Sequence, residues 1–141
     1  KIQILNKEAQ EKLGKYYLEC YEAENDSITD AQKEFWLQRP QLAPILLIVS
    51  FYPNLEKINI PLSEQKLSCG ALCQNILNAS HAFGFSAQWI TEWPAYSSKI
   101  KMFLGHEKEV DIIGFIYIGS SKKEPAERSR VKTTDVAKEW L

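Results

Sequence analysis

A chain of 141 residues with 17 Lys and Arg against 18 Asp and Glu has room for one domain with a packed core, and its net charge of −1 offers no basic field to nucleic acid. Three cysteines, an odd number, speak against a disulfide framework and for a reducing, cytoplasmic setting. No signal peptide and no membrane-spanning run is visible.

Asn6 can cap a predicted helix that runs to about Glu24, with Leu13, Tyr16, Tyr17 and Cys20 on its inner side. Asn25-Asp26-Ser27 breaks it. A second helix is predicted to start after Ser27 or Thr29, to carry Phe35, Trp36 and Leu37, and to stop at Arg39-Pro40, because the residue before proline is pushed out of the helical region. Ile45 to Tyr52 is an unbroken apolar run rich in β-branched residues and reads as a strand covered on both faces. Residues 53 to 62, with Pro53 and Pro61, form a loop.

Leu67 to Thr91 then runs for 25 residues without a formal charge, in a chain that is 25% charged overall. Such a stretch has to be buried. Gln74, Asn75, Asn78, His81 and Gln88 rule out hydrocarbon around it, since each unpartnered polar group there costs several kcal/mol, as an order of magnitude. It reads as a core helix from Ser63 to about Phe83, ended by Gly84 in a left-handed cap, followed by a strand from Ser86 to Thr91. Cys69, Leu72, Cys73, Ile76, Leu77, Ser80 and Phe83 repeat at helical spacing and make one packed stripe. Gly70, Ala71, Gln74, Asn78 and His81 take the other side, which must meet something polar and shielded, such as a cofactor or a second subunit.

Pro94 opens a further helix predicted to end near Gly105. Ile112 to Gly119 is a second buried strand, a polar tail runs from Ser120 to Lys132, and a short helix from Thr133 or Thr134 reaches Leu141. Lys99, Lys101, Lys122, Lys123, Arg128, Arg130 and Lys132 make this last third locally basic, and the cluster reads as a solvated face and tail before it reads as a phosphate site.

Three chemistries are weak on the residues alone. Cys69, Cys73 and His81 invite a metal, but the cysteines sit in the apolar stripe, His81 is turned about 80° off their line, and no fourth ligand is near, so no metal is expected. Ser68 and Ser80 lack the strand-turn-helix elbow of a serine hydrolase. Gly114 and Gly119 form no G-x-G-x-x-G dinucleotide fingerprint.

The segments S-C-G-A-L-C-Q-N-I-L-N-A-S-H-A-F-G-F-S-A-Q-W-I-T-E-W-P-A-Y (68 to 96), G-F-I-Y-I-G (114 to 119) and E-R-S-R (127 to 130) together resemble the FMN-dependent nitroreductase family, in particular its small bacterial NAD(P)H enzymes. The resemblance implies an α+β fold, a single domain over residues 1–141 with a central sheet flanked by helices, and a long buried central helix at a homodimer interface. It also implies FMN at that interface, NAD(P)H as donor and ping-pong hydride transfer to nitro or quinone acceptors. Trp89, Ile90 and Thr91 match the trio that contacts FMN near its ring and ribityl chain; the competing reading of Trp89 is a plain core residue. Ala79, Ser80, His81, Ala82, Phe83 and Gly84 match a segment assigned to NAD(P)H contact. The tail, 121 to 141, is implied to cross to the partner subunit, where Arg128 and Arg130 either reach the flavin phosphate or remain surface arginines. No catalytic side chain can be named, because the cofactor carries the chemistry.

Two departures stand beside the resemblance. Glu92 occupies a turn position where relatives usually carry glycine, so its carboxylate either faces solvent or impairs a flavin site. Lys1-Ile2-Gln3-Ile4-Leu5 looks like the family's first strand, without the Arg-rich helix that normally precedes it and binds the flavin phosphate. Weaker FMN binding than in a longer relative is the expectation, and the rival reading is a truncated, non-catalytic dimerising remnant.

Overall fold

A computed structural model describes residues 1–122 and 126–140; Lys123 of the basic tail and Leu141, the expected end of the last helix, lie outside them. The fold is α+β. Strands β1 (Ile2–Leu5), β2 (Ile45–Phe51), β3 (Ser86–Ile90) and β4 (Asp111–Gly119) form one antiparallel sheet in the order β1-β2-β4-β3. Helices α1 (Lys7–Glu24) and α2 (Asp30–Gln38) back one face, with the short α4 (Ser98–Phe103) beside α1, and α3 (Leu62–Ala82) lies on the other. No described helix is long and apolar enough to cross a membrane.

Local chemistry sets the boundaries. Asn6 Oδ1 accepts from Ala9 N–H at 2.9 Å and starts α1. Thr29 and Gln32 cap each other reciprocally, which settles the start of α2 at Asp30. The two central strands are apolar on both faces because both are covered. Leu46, Ile48, Phe115 and Tyr117 pack with Leu13, Tyr17 and Cys20 of α1, whereas Val49 and Ile116 pack with Cys73 of α3. The predicted helix opened by Pro94 is two pieces, a 3₁₀ turn over Trp93–Ala95 and then α4. Pro94 fits the first turn of either helix type, and Ser97 accepts from Ile100 N–H to begin a new one. The last helix, α5, is shorter than expected, Thr133–Val136.

The central helix is less buried within one chain than its lack of charge implies. Cys73 and Ser80 are buried and Ile76 and Leu77 partly so, but Leu72 is 39% and Phe83 80% exposed, and both leave the predicted stripe. A helix on a sheet buries a narrow stripe, and these two lie about 80–100° around the axis from Cys73 at 3.6 residues per turn. Gly84, at φ 79°, closes the helix, with Phe85 N–H returning to Ser80 O at 2.9 Å.

A register shift between Val49 and Ser50 leaves Ile113 without a partner in β2. Its carbonyl accepts instead from Trp89 Nε1 at 3.0 Å, and the indole occupies the place where a side chain on Gly114 would stand. Gly114→Ala should therefore displace Trp89 and destabilise the fold by about 1–3 kcal/mol, the usual penalty of overpacking, read by urea denaturation.

His106 is 6% exposed and bridges Ser50 Oγ and Tyr52 Oη, each at 2.9 Å, through its two ring nitrogens. Burial first, and then the cationic groups of Lys1 and that of Lys101, lower its pKa from the ordinary histidine value. Below about 6.5 the unfolded chain then binds a proton that the folded chain resists. Stability should be complete above that pH and fall as pH drops through the folded value. Urea midpoints between pH 7 and 5 should show this decline, and His106→Gln should flatten it.

Candidate functional site

The chain leaves β3 at Ile90 and turns sharply. Thr91 follows, and then Glu92 takes φ 49°, the only positive φ outside glycine among the described residues. Such a conformation costs about 1–3 kcal/mol and persists only where its surroundings hold it. Here they do. Arg39 donates from Nε to Glu92 Oε2 at 2.7 Å and from Nη2 to Oε1, a two-pronged pair whose arginine side chain is only 17% exposed. The next residue, Trp93, stacks on Trp36 of α2 with ring centroids 5.3 Å apart. The turn is thus clamped to α2 by a charge pair and an aromatic stack. Glu92 neither floats in solvent nor points at a site: its carboxylate is committed to Arg39.

The clamp sets Thr91 at the lip of a cavity of about 630 Å³ between the first half of α3, the turn and the start of β4. Gly70, Leu67, Ala95, Ile112 and Ile113 give it mostly apolar walls, and Tyr96 stands at its exposed edge. Asp111 there is held by two ammonium groups, Lys66 Nζ at 2.9 Å from Oδ2 and Lys101 Nζ at 3.2 Å from Oδ1. The hydrogen bond from Lys66 lowers the pKa of Asp111 most, burial opposes it, and Lys101 adds to the lowering, so the group is a carboxylate at neutral pH. A second cavity of about 690 Å³ shares Ser63, Lys66 and Asp111 with the first, so that the Lys66–Asp111 pair stands between the two.

The expected site residues are not all together. Of Trp89, Ile90 and Thr91, only Thr91 lines the cavity. Trp89 is packed between sheet and α3 with Val49, Cys73 and Ile116, and Ile90 turns to the opposite core with Leu46 and Phe115. Ala79 to Gly84 occupy the far end of α3, nine residues past Gly70, roughly 14 Å along the axis. Within that segment Ser80 Oγ is spent on Ile76 O at 2.8 Å, and His81, Ala82 and Phe83 are exposed. Arg128 and Arg130 are exposed in a stretch without helix or strand. Burial pushes the Cys73 thiol up to about 11, which keeps it neutral in its apolar setting, and no cluster of three or more His, Cys, Asp or Glu able to hold a metal exists among the described residues.

Four residues of this region escaped the sequence reading. Arg39 served there only as a helix stop, yet it meets a residue 53 positions away. Lys66 and Asp111, 45 positions apart, had no local signal. Lys101, counted with the solvated basic cluster, has a side chain only 16% exposed, which corrects that assignment.

Comparison with known proteins follows the same lines. The Nitroreductase family profile matches residues 1–120. No curated protein sequence matches the chain. Among solved structures, a nitroreductase-like family protein from Bacillus cereus superposes with a TM-score of 0.77 at 18% identity, covering 99% of this chain and 72% of that one. A nitroreductase from Desulfovibrio desulfuricans, solved in complex with FMN, gives 0.70 at 14% identity over 100% and 72% of the two chains. Nitroreductase CinD from Lactococcus lactis, in complex with chloramphenicol, gives 0.69 at 15% identity over 100% and 76%.

Proposed function

Since the chain belongs to the nitroreductase family, matched over residues 1–120, we propose that it is an FMN-dependent oxidoreductase that uses NAD(P)H to reduce small nitro or quinone acceptors. The observation that carries this is the mostly apolar cavity with Thr91 at its lip, at the sequence position that the family resemblance assigns to flavin contact. Mostly apolar walls of this kind suit a flat aromatic ring. The one carboxylate in the adjoining turn that would oppose a reduced, anionic flavin is neutralised by Arg39. FMN held there would supply the chemistry, hydride exchange between a nicotinamide donor and an acceptor in alternating half-reactions.

The chain's own residues position and shield. Thr91, with the backbone of Trp89 and Ile90, would border the ring; Arg128 and Arg130 are the candidates for its phosphate, as guanidinium forks suit phosphate oxygens. Ala79 to Gly84 sit too far along α3 to face the same cavity in one chain, so their contact with NAD(P)H requires the two-fold partner. A homodimer is proposed on the same ground. Leu67 on α3 and Phe83 at its C-terminal cap are 72% and 80% exposed, beside the polar but uncharged Gln74 and Asn78, which is a surface suited to another protein surface. The tail from 121 to 141 is proposed to reach across that interface. The three free cysteines fit a cytoplasmic setting.

The test is a purified sample, its visible spectrum, an FMN titration and NADH or NADPH oxidation with a nitroaromatic acceptor. Bound flavin with parallel-line initial-rate plots supports the reading. A folded dimer that stays colourless and ignores added FMN would be the non-catalytic remnant instead.

A further inference from the structure

Four easily oxidised rings meet between α1, α2 and the turn after β3. Trp93 stacks on Trp36 with centroids 5.3 Å apart and planes 21° from parallel, and Tyr21 touches both, at 6.1 and 5.3 Å. Tyr17 lies on the inner side of the same group, 5.8 Å from Trp93 and 6.4 Å from Trp36. Phenylalanines flank it, Phe35 against Trp36 and Phe115 against Tyr17. Indole and phenol rings give up an electron far more readily than a phenyl ring or an aliphatic chain, and an electron passes readily between rings in contact. The four rings are therefore one path for an electron, running from the turn at Trp93 to the partly exposed Tyr21 on α1.

The two tyrosines differ in what becomes of the proton. A phenol that has lost an electron is strongly acidic and stays oxidised only if its proton can leave. Tyr17 Oη is buried without a hydrogen-bond partner among the described residues, and burial pushes its pKa well above the ordinary phenol value, so its proton has no acceptor. Tyr21 is partly exposed, and water can take its proton. A missing electron therefore settles on Tyr21. We propose that Trp93, Trp36 and Tyr21 form a relay that carries oxidising equivalents from the turn to the protein surface. The oxidant is an oxygen-centred radical arising at the turn: a hydroxyl radical takes one electron from Trp93 and one proton from solvent and leaves as water. Trp36 and then Tyr21 refill the vacancy, and Tyr21 releases its phenolic proton to solvent. A thiol in solution then returns one electron and one proton to the phenoxyl, and two thiyl radicals pair as a disulfide. The inference rests on the reductase reading only for the source of the radical, dioxygen reduced part-way by a bound redox cofactor; the path itself needs no cofactor.

The whole chain carrying Cys69→Ser and Tyr96→Cys tests the path without flavin. Cys20 and Cys73 are 4% and 0% exposed, whereas position 96 is 74% exposed, so a thiol-reactive ruthenium polypyridyl complex attaches there, close in sequence to Trp93. A laser flash in the presence of a sacrificial electron acceptor turns the complex into a one-electron oxidant. Transient absorption should then show a tyrosine phenoxyl radical with every relay residue in place. Tyr21→Phe, which removes only a hydroxyl from a partly exposed ring, should replace that signal by a tryptophan radical, and Trp93→Phe should abolish the phenoxyl signal. Rings that only pack would leave the phenoxyl signal unchanged in Tyr21→Phe, which overturns the proposal. So would the absence of a phenoxyl signal in the labelled parent, or a radical held on Tyr17 and lost in Tyr17→Phe. An FMN titration of the unlabelled protein keeps the two readings apart: flavin bound beside rings that carry no radical sinks only this inference, and a working path in a protein that binds no flavin sinks only the reductase.

Discussion

A Thr91→Phe protein is expected to keep its fold and lose flavin. Thr91 lies one residue beyond the last residue of β3, is partly exposed, and is the one member of the expected flavin trio whose side chain lines the cavity. A phenyl ring there would take the space proposed for the flavin ring without touching the packed layers. Affinity should drop by at least about a hundred-fold, equivalent to about 2.7 kcal/mol. Trp89→Phe is the contrasting case. Its indole donates to Ile113 O and covers Gly114 and Gly70, so its loss should lower stability by about 1–2 kcal/mol while acting on flavin only indirectly. Flavin fluorescence quenching alongside circular dichroism reads both. If folded Thr91→Phe bound flavin as well as the parent, the pocket would lie elsewhere and the resemblance would be one of fold without this site.

The layers of the fold were legible where one physical cause dominates. β2 and β4 announce themselves because apolar side chains on both faces need cover on both faces, and α1 and α2 because Asn6 and Thr29 carry caps that satisfy orphaned backbone donors. The central helix was legible as an element but not in its environment. Absence of charge says that a surface is covered without saying by what, and Leu72 and Phe83 look away from the chain's own sheet. The split at Pro94 was hidden because proline is equally at home in a 3₁₀ turn and in the first turn of an α-helix.

The site was legible only where it is local. Thr91, named with Trp89 and Ile90 from the family resemblance at the end of a predicted strand, is the one of the three that lines the cavity. Lys101 could not, because a count of basic residues along the chain ignores the helix that carries them. Lys99 and Lys101 are two residues apart on α4, about 200° around its axis, so one pairs with Glu24 of α1 at 3.0 Å while the other turns to Asp111. Arg39 and Glu92 are 53 positions apart and meet only through the tertiary fold, and a glutamate at a glycine-like turn reads as damage until its partner is known.

That partner makes a second large effect predictable. Arg39→Ala should destabilise the protein by about 2–3 kcal/mol, because it strands a partly buried carboxylate and removes what holds Glu92 at positive φ. Glu92→Gly should do far less, within about 1 kcal/mol of the parent, since glycine adopts that φ freely and the relief of strain offsets the lost pair. Combining the two changes should recover most of the stability lost in Arg39→Ala, so the double-mutant cycle should show coupling of about 2 kcal/mol between residues 53 positions apart. Urea denaturation of the four proteins measures it. If Glu92→Gly proved as damaging as Arg39→Ala, the pair would be a net source of stability rather than a clamp on a strained turn. If the cycle were additive, Arg39 would stabilise the turn through its stacking on Phe35 and its packing alone, with the charge on Glu92 irrelevant. In the predicted outcome, the carboxylate that stands where the resemblance expects glycine is tolerated beside the cavity because Arg39 neutralises it and turns it away.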